Sequence, residues 1–261
     1  MFERFRNRSN DLEHIDIGDY TPEEYEGCII ELQRVNKWMG DARALRLSLL
    51  ASVELTDLRS FSVLDVGSGS GELLRVVADW GRQNLRKGNC VGLELNARSA
   101  RAILEHSSNF AEISAVRGDA ICLPFADNTF DYVICSLFTH HLHDRQVVSA
   151  LREINRVARR QIFVIDLHRH PVAYYFYTTV GRLFLHTRLL REDGALSILR
   201  SFKRHELVNL GRMAELEDIQ VVRRFPYRLV LSARKSEPGA GSGSHAAGER
   251  PFQNDRMRLA S

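Results

Sequence analysis

The sequence of 261 residues has no long apolar run and no clustered cysteines. Its apolar runs, such as residues 161–167, fall far short of the ~20 residues that a membrane-spanning helix needs. The four cysteines form no CxxC pair and no Cys/His cluster, so they indicate buried thiols in a reducing compartment rather than disulfides or a zinc site. Because no apolar segment follows the charged N-terminus, we expect no secretory signal and a cytoplasmic location.

Net charge is also small. Lysine and arginine total 36 and aspartate and glutamate 33, which leaves a net charge of +3 at neutral pH. That charge gives no broad basic field on a chain of this length, so we expect no nucleic-acid partner. The apolar content of 44% and charged content of 26% are typical of an ordinary globular protein. The oligomeric state stays open, a homodimer included.

From residue 61 onward, short apolar runs alternate with amphipathic stretches. Predicted strands cover 62–66, 89–95, 113–116, 130–138 and 161–167, and predicted helices cover 72–84, 97–107 and 145–160. This alternation predicts an α/β fold with a Rossmann-like, doubly wound, mostly parallel sheet. Two further runs, 219–225 and 227–233, are separated only by Pro226 and predict an antiparallel hairpin at the C-terminal end of the sheet.

Three segments follow from this pattern. Residues 1–60 form an N-terminal helical cap: we expect the first 20 residues to be loose and a capping box at Thr21 to open a helix. A second helix is predicted over residues 42–54. Residues 61–235 form the main domain. Residues 236–261 are rich in glycine, serine and proline, and this composition predicts a disordered tail.

The most informative stretch is VLDVGSGSG, in which a buried strand leads into glycines at positions 67, 69 and 71. Glycines there permit a left-handed backbone and let a ligand approach the main chain near a helix N-terminus. The spacing GxGxG lacks the dinucleotide pattern GxGxxG and the lysine of a phosphate loop. Asp65, just before the loop, would repel a pyrophosphate but is placed to accept hydrogen bonds from an ammonium group.

Two more acids follow the next predicted strands. Glu94 ends the second strand, where a carboxylate can accept from both hydroxyls of a ribose. Asp119 follows the third strand and is placed to accept from an exocyclic amine. Each acid alone also fits a solvated strand end, but acids at three neighbouring strand ends favour a ligand site at the carboxyl edge of the sheet.

The segments VLDVGSGSGELL, VGLELN and GDAICLPFADNTFDYVICSLFTHHL resemble the class I S-adenosylmethionine-dependent methyltransferases. They are most similar to the small-molecule branch that includes quinone and polyketide O-methyltransferases and the ubiquinone and menaquinone biosynthesis methyltransferases. The resemblance covers about residues 61–167, less than half of the chain. It implies the strand order 3-2-1-4-5-7-6, with S-adenosyl-L-methionine as cofactor and S-adenosyl-L-homocysteine as product. Serines at 68 and 70, where the family often has cysteine, and Glu94 in place of the commoner aspartate are mild departures.

The resemblance also implies the cofactor-binding residues. Asp65, Gly67, Ser68 and Gly69 would hold the methionine part, Glu94 and Leu95 the ribose, Asp119 and Ala120 the adenine, and Ser136 and Leu137 the sulfonium side. Arg43 and Arg46 are candidates for the methionine carboxylate. In this family the insertion corresponding to residues 171–200 forms a wall or lid of the acceptor pocket, and its aromatic residues here suit a flat, apolar acceptor.

Histidines follow the fourth and fifth predicted strands, in THHLH and DLHRH. A hydroxyl nucleophile benefits from losing its proton, and a histidine suits that role near neutral pH. His141 or His140 would then be the base, with Asp166 as an orienting group. The alternative, that these histidines only shape the pocket, stays open. A metal shared by the two histidine clusters would have to bridge two different loops, so no metal is expected.

The sequence therefore predicts an O-methyltransferase that acts on a hydroxyl of a small aromatic, polyketide-like or quinone-like acceptor. One alternative is a C-methyltransferase of a quinone-type ring, which would use the same cofactor pocket. Another is a non-catalytic protein that binds S-adenosylmethionine and serves a pathway. A nucleic-acid methyltransferase is disfavoured because CSLF stands where a tetrapeptide such as Asn-Pro-Pro-Tyr would expose a flipped base.

Overall fold

The computed structural model describes residues 3–38 and 40–235. Within them, seven strands form one sheet: β1 (Ser60–Val66), β2 (Lys87–Glu94), β3 (Ile113–Arg117), β4 (Phe130–Ser136), β5 (Ala158–Leu167), β6 (Gln220–Arg224) and β7 (Arg228–Arg234). The order is β3-β2-β1-β4-β5-β7-β6. The first five strands are parallel, and β7 runs antiparallel to both β5 and β6. The predicted fold class and strand order are confirmed.

Helices precede the sheet, cross between its strands and cover its carboxyl edge. They are α1 (His14–Ile17), α2 (Pro22–Trp38), α3 (Asp41–Leu45), α4 (Ala51–Glu54), α5 (Glu72–Gln83), α6 (Ala97–His106), α7 (Asp144–Val157), α8 (Pro171–Phe176), α9 (Arg182–Phe184), α10 (Arg188–Arg200) and α11 (Arg204–Met213). Two wider π-type turns, Arg46–Leu50 and Tyr177–Gly181, join α3 to α4 and α8 to α9.

Burial on both faces explains the composition of the central strands. In β4, six of seven residues are buried, because crossover helices cover both faces of a parallel sheet. On one face α7 packs with α11, and Val147, Leu151 and Ile154 are fully buried there. On the other face α3, α4 and α5 pack together. These two layers fix the carboxyl edge of the sheet, where the glycine loop lies.

One predicted boundary is wrong. The helix expected over residues 145–160 ends at Val157, and the next three residues already belong to β5. Ala158 pairs with Phe130 of β4, and Arg159 and Arg160 bond to the Asp131 carboxylate beside that pair. Strand pairing and these ion pairs outweigh the helical pattern of the sequence.

The expectation that the first 20 residues are loose is also wrong. Phe5 is buried and packs edge-on against the rings of Tyr174 and Tyr175, at centroid distances of 5.5 and 6.0 Å. Arg8 donates from Nη2 to the backbone carbonyl oxygens of His140 and Leu142, at 3.1 and 3.0 Å. Such anchors do not appear in a hydropathy pattern, because an arginine that donates to buried carbonyl groups looks like any surface cation.

The capping box at Thr21 is confirmed, since Thr21 and Glu24 exchange side-chain-to-backbone hydrogen bonds of 3.0 and 3.2 Å. The helix that it opens, α2, packs with α10 over the carboxyl edge of the sheet, around Cys28 and Leu189. The predicted tail at 236–261 lies outside the described residues. Of the helices in the described ranges, none combines the length and the apolar character needed to cross a bilayer.

Candidate active site

The glycine loop connects β1 to α5 in a left-handed backbone. The φ angles are +72° at Gly67, +56° at Gly69 and +76° at Gly71. At Gly67 a Cβ atom would lie 2.9 Å from Cγ of Phe138, so any side chain there would be both strained and crowded. The loop therefore presents bare main chain at the start of α5, as the sequence predicts.

Asp65 lies beneath this loop and is almost completely buried. Its Oδ2 accepts a 3.0 Å hydrogen bond from the Ser68 hydroxyl, whereas Oδ1 has no partner among the described residues. Burial, together with the nearby Glu94, raises the pKa of Asp65 to about 7 although the Ser68 bond opposes the shift. A buried carboxylate oxygen without a donor is costly, so this atom fits a ligand cation such as an ammonium group.

Glu94, at the end of β2, also contacts the loop. Its Oε1 accepts from the backbone N–H of Gly69 at 2.5 Å, and burial raises its pKa above the ordinary value. Asp119 follows β3, is exposed, and accepts from the backbone N–H of Ile121 at 3.0 Å. The three acids thus lie at the ends of β1, β2 and β3, three neighbouring strands.

A cavity of about 690 Å³ opens beside the loop, below α2 and α10. The predicted residues that line it are Asp65, Gly67, Ser68, Gly69, Ser136, Leu137, His140 and His141. Glu94, Leu95, Asp119 and Ala120 do not line it; they follow the sheet toward its β3 edge, with Leu95 exposed and Ala120 buried. The cavity therefore joins the methionine and sulfonium parts of the predicted cofactor site to the histidines.

His140 lines the cavity and forms a buried pair with Asp166. The Nδ1 atom of His140 lies 2.7 Å from Oδ1 of Asp166, and the other carboxylate oxygen accepts from the Thr139 hydroxyl and the His140 backbone N–H. Burial alone would raise the pKa of Asp166, but the imidazole and these donors lower it to about 2. With Nδ1 engaged by the carboxylate, Nε2 is the ring nitrogen left for a ligand.

His141 belongs to a different set of contacts. Its Nδ1 lies 3.2 Å from Oδ1 of Asp16 and 3.7 Å from Oε2 of Glu13. Glu13 is buried, and burial raises its pKa to about 7 although His141 opposes the shift. In the described part of the chain, Glu13, His140 and His141 are the one group whose donor atoms lie close enough for a shared cation, all within 4.8 Å. That group differs from the two-cluster arrangement considered from the sequence.

The histidines after β5 do not reach this cavity. His168 and His170 line a separate pocket of about 350 Å³ together with Arg169, Lys203 and Arg223. Burial and these positive neighbours lower the pKa of His168 to about 4. Of the predicted cluster DLHRH, only Asp166, which pairs with His140, and Leu167, which lines the cavity, contribute to the candidate active site.

Sequence reasoning missed two arginines of the site. Arg200, at the end of α10, donates to the backbone carbonyl oxygens of His140 and His141. Arg228, at the start of β7, lines the cavity and pairs with Asp41. Arg43 and Arg46 are exposed and do not line the cavity. No motif marks Arg200 or Arg228, because their partners lie far away in the sequence.

The sheet order, the glycine loop and the acids at the strand ends define the class I methyltransferase fold. Residues 63–161 match the family model described as a methyltransferase domain. The demethylmenaquinone methyltransferase of Staphylococcus carnosus is 38% identical over 72 residues, which is 28% of this chain and 29% of that protein. The enzyme of the same name from a Roseiflexus species is 32% identical over 121 residues, 44% of this chain and 48% of that protein.

Among solved structures, the magnesium protoporphyrin IX methyltransferase of Synechocystis with bound S-adenosylhomocysteine has a similar fold. Its TM-score is 0.55 at 17% identity, over 77% of this chain and 87% of that one. The chain spans less than half the length of the two demethylmenaquinone methyltransferases. Residues 63–161 are thus similar to the methyltransferase domains of class I S-adenosylmethionine-dependent methyltransferases, and the similar proteins include quinone-type enzymes.

Proposed function

We propose that this protein transfers a methyl group from S-adenosylmethionine to a hydroxyl of a small aromatic or quinone-like acceptor, with His140 as the general base. The observation that carries the proposal is that His140, which is paired with Asp166, lines the same cavity as the glycine loop. A base beside the methyl donor's site is what transfer to a hydroxyl requires.

The chemistry follows from the two side chains. The cofactor supplies an electrophilic methyl group on a sulfonium sulfur, so the new O–CH₃ bond forms as the S–CH₃ bond breaks. The Nε2 atom of His140 would take the hydroxyl proton, which leaves a phenolate-like oxygen as nucleophile. Asp166 holds the proton on Nδ1, keeps the ring in one orientation and stabilises the imidazolium that results. Alignment of the acceptor and the cofactor in the cavity supplies the remaining rate enhancement.

The wall opposite the sheet suits a flat apolar acceptor. Side chains from α2 and α10, including Tyr25, Leu32, Val35 and Leu190, line the cavity there. Tyr177 completes this wall, and its hydroxyl donates to the backbone carbonyl of Leu190. The quinone-type acceptors named for the relatives are aromatic and apolar, which supports the same class of acceptor for this chain.

Turnover tests the proposal directly. The purified protein, S-adenosylmethionine and a panel of phenols, hydroxyquinones and reduced naphthoquinones would be incubated, and methylated products detected by mass spectrometry. His140→Gln should lower kcat by roughly 10²–10⁴-fold with little change in S-adenosylhomocysteine affinity. His205→Gln, an exposed histidine outside the cavity, is the matched control and should keep full activity. Equal activity of both variants would contradict the assignment of the base.

Methylation of a quinone-ring carbon is the second candidate. The names of the demethylmenaquinone methyltransferases favour it, and the same base could take the hydroxyl proton of a reduced quinone ring so that the ring carbon becomes nucleophilic. Proton and carbon NMR of the product distinguish a methoxy group from a methyl group on the ring. A methoxy product supports the proposed function, and a ring-methylated product replaces it with C-methylation. Cofactor binding without turnover on any acceptor would favour the non-catalytic alternative.

A further inference from the structure

Arg228 lies at the carboxyl edge of the sheet although it begins the last strand. Because β7 runs antiparallel to β5, its first residue pairs with Leu167, the last residue of β5. The backbone N–H of His168 donates to the carbonyl of Tyr227 at 2.9 Å and holds this end of the hairpin in place. Arg228 and Leu167 both line the cavity described above.

Asp41 occupies one edge of the Arg228 guanidinium. Nε donates to Oδ1 at 2.5 Å and Nη2 to Oδ2 at 3.2 Å, and both residues are buried. This pairing compensates the charge of the arginine but leaves Nη1 without a hydrogen-bond partner. Since an unsatisfied buried donor costs free energy, the arrangement is incomplete as it stands.

In the described part of the chain, three buried side-chain polar atoms lack a partner: Asp65 Oδ1, Arg224 Nε and Arg228 Nη1. Two of the three residues, Asp65 and Arg228, line the same cavity. One offers an acceptor to a cation and the other a donor to an anion. A cavity with one unpaired group of each sign is suited to a ligand that carries both charges, or to two ligands of opposite charge.

The other cations near the cavity are already engaged or exposed. Arg98 also lines the cavity, but its side chain is 75% exposed and pairs with Glu26. Arg43 and Arg46 are exposed and do not line the cavity. Among the described residues of the lining, Arg228 is thus the guanidinium that is both buried and incompletely paired.

We infer that the free edge of Arg228 binds a carboxylate of a ligand in the cavity. The planar guanidinium presents parallel N–H groups that match two carboxylate oxygens, and Asp41 holds this fork in one orientation. Asp41 is a positioning residue in this arrangement, and Arg228 is the binding residue. The carboxylate has two possible sources, the methionine end of the cofactor or an acidic group on the acceptor.

Calorimetric titration distinguishes these sources. The first arm compares S-adenosylhomocysteine with its decarboxylated analogue, which keeps the ammonium and lacks only the carboxylate. The second arm compares 4-hydroxybenzoate with 4-hydroxybenzamide, each titrated into protein saturated with S-adenosylhomocysteine. In the wild-type protein the carboxylated member of one pair should bind at least about tenfold more tightly, as a charge-assisted hydrogen bond implies.

Two variants keep the test valid in case simple removal of the Arg228 side chain prevents folding. Arg228→Lys retains a cation for Asp41 but loses the fork, and the double change Asp41→Asn with Arg228→Gln removes the buried charge pair at nearly constant shape. Circular dichroism and Tm confirm that each is folded. In both variants, the ratio of the affinity for the carboxylated ligand to that for its uncarboxylated counterpart should fall toward one. The affinity for the decarboxylated or neutral ligand itself should stay the same. Arg43→Gln and Arg46→Gln are the controls and should keep the wild-type preference.

The arm whose preference is lost identifies the source of the carboxylate. The inference is overturned if the folded variants keep the wild-type preference, if the wild-type protein prefers neither carboxylated ligand, or if an Arg43 or Arg46 variant abolishes the preference instead. These measurements need no turnover, so their failure is distinguishable from failure of the proposed O-methylation.

Discussion

The Nε atom of Arg200 lies 3.2 Å from the backbone carbonyl oxygen of His140. The same guanidinium donates from Nη2 to the carbonyl of His141 at 2.6 Å and from Nη1 to Asp16 at 2.7 Å. One side chain of α10 thus connects that helix to α1 and to the turn at residues 139–141. The position of the candidate base therefore depends on elements outside the sheet.

Arg200→Lys should lower kcat more than it raises KM for the acceptor, because a lysine cannot donate to three acceptors in this fixed arrangement. We expect a roughly tenfold loss of kcat and a loss of about 1–3 kcal/mol in unfolding free energy. Steady-state kinetics and thermal unfolding measure both. The matched control is Arg152→Lys on the exposed side of α7, where Arg152 bonds to Glu215 and the Met213 carbonyl. Similar losses in the two variants would contradict the role of Arg200.

Asp166→Asn should lower kcat by roughly 10²–10⁴-fold, since an amide cannot stabilise the imidazolium and favours the other histidine tautomer. S-adenosylhomocysteine affinity should change little. Because the pKa of Asp166 is lowered to about 2, its carboxylate stays charged from pH 5 to 9, so any acidic limb of the pH–rate profile belongs to another group. Single-turnover assays across that range test this. A wild-type rate in the variant would remove Asp166 from the mechanism.

Cofactor affinity should rise with pH around neutrality. Burial, with Glu94 adding to it, raises the pKa of Asp65 to about 7, so the carboxyl is protonated at pH 6 and charged at pH 8. Only the charged form attracts an ammonium group. S-adenosylhomocysteine should therefore bind more tightly at pH 8 than at pH 6, by up to about tenfold per pH unit below the pKa. In Asp65→Asn this dependence should weaken and the affinity should be low throughout, as isothermal titration calorimetry would show.

The same carboxyl should reduce the stability of the ligand-free protein at high pH. Its folded pKa of about 7 lies above the ordinary value of 3.8, so the folded state binds the proton more tightly than the unfolded state. The contribution of this protonation to the free energy of unfolding is fully present below pH 4 and is lost as the pH rises to 7. Asp65→Asn should therefore be more stable than wild type at pH 8, by roughly 1–3 kcal/mol. Chemical denaturation at pH 5 and pH 8 measures the difference, and a less stable variant at pH 8 would oppose it.

Phe5→Ala should destabilise the protein although residue 5 is close to the N-terminus. Its side chain is 3% exposed and lies between two tyrosine rings of α8, so we expect a loss of about 2–4 kcal/mol. Leu12→Ala is the control: Leu12 is 52% exposed and should change stability by less than about 0.5 kcal/mol. Urea unfolding measures both variants, and equal midpoints would mean that the N-terminal segment contributes little to stability.

Local sequence patterns were enough to predict the fold class and the glycine loop. The spacing of apolar residues identified every strand, and glycine at three alternate positions indicated the left-handed turn, because only glycine adopts that backbone without strain. Boundaries were less accurate where the outcome depended on strand pairing: residues 158–160 continue a helical pattern but belong to β5, where Ala158 pairs with Phe130 of β4. The role of His140 as the buried partner of Asp166 was open, since neighbouring histidines have the same local signal.

The sequence by itself determined the class of fold and predicted a ligand site at the carboxyl edge, because strand and turn signals are encoded by residues close together in the chain. Only the tertiary structure decided which histidine faces Asp166, that Glu13 meets His141, and that Arg228 rather than Arg43 or Arg46 lines the cavity. The contacts between His140 and Asp166, between Glu13 and His141, and between Asp41 and Arg228 join residues separated by 26, 128 and 187 positions. Side-chain charge and hydrogen-bonding capacity are visible in a sequence, but the partner that satisfies them depends on how the layers pack.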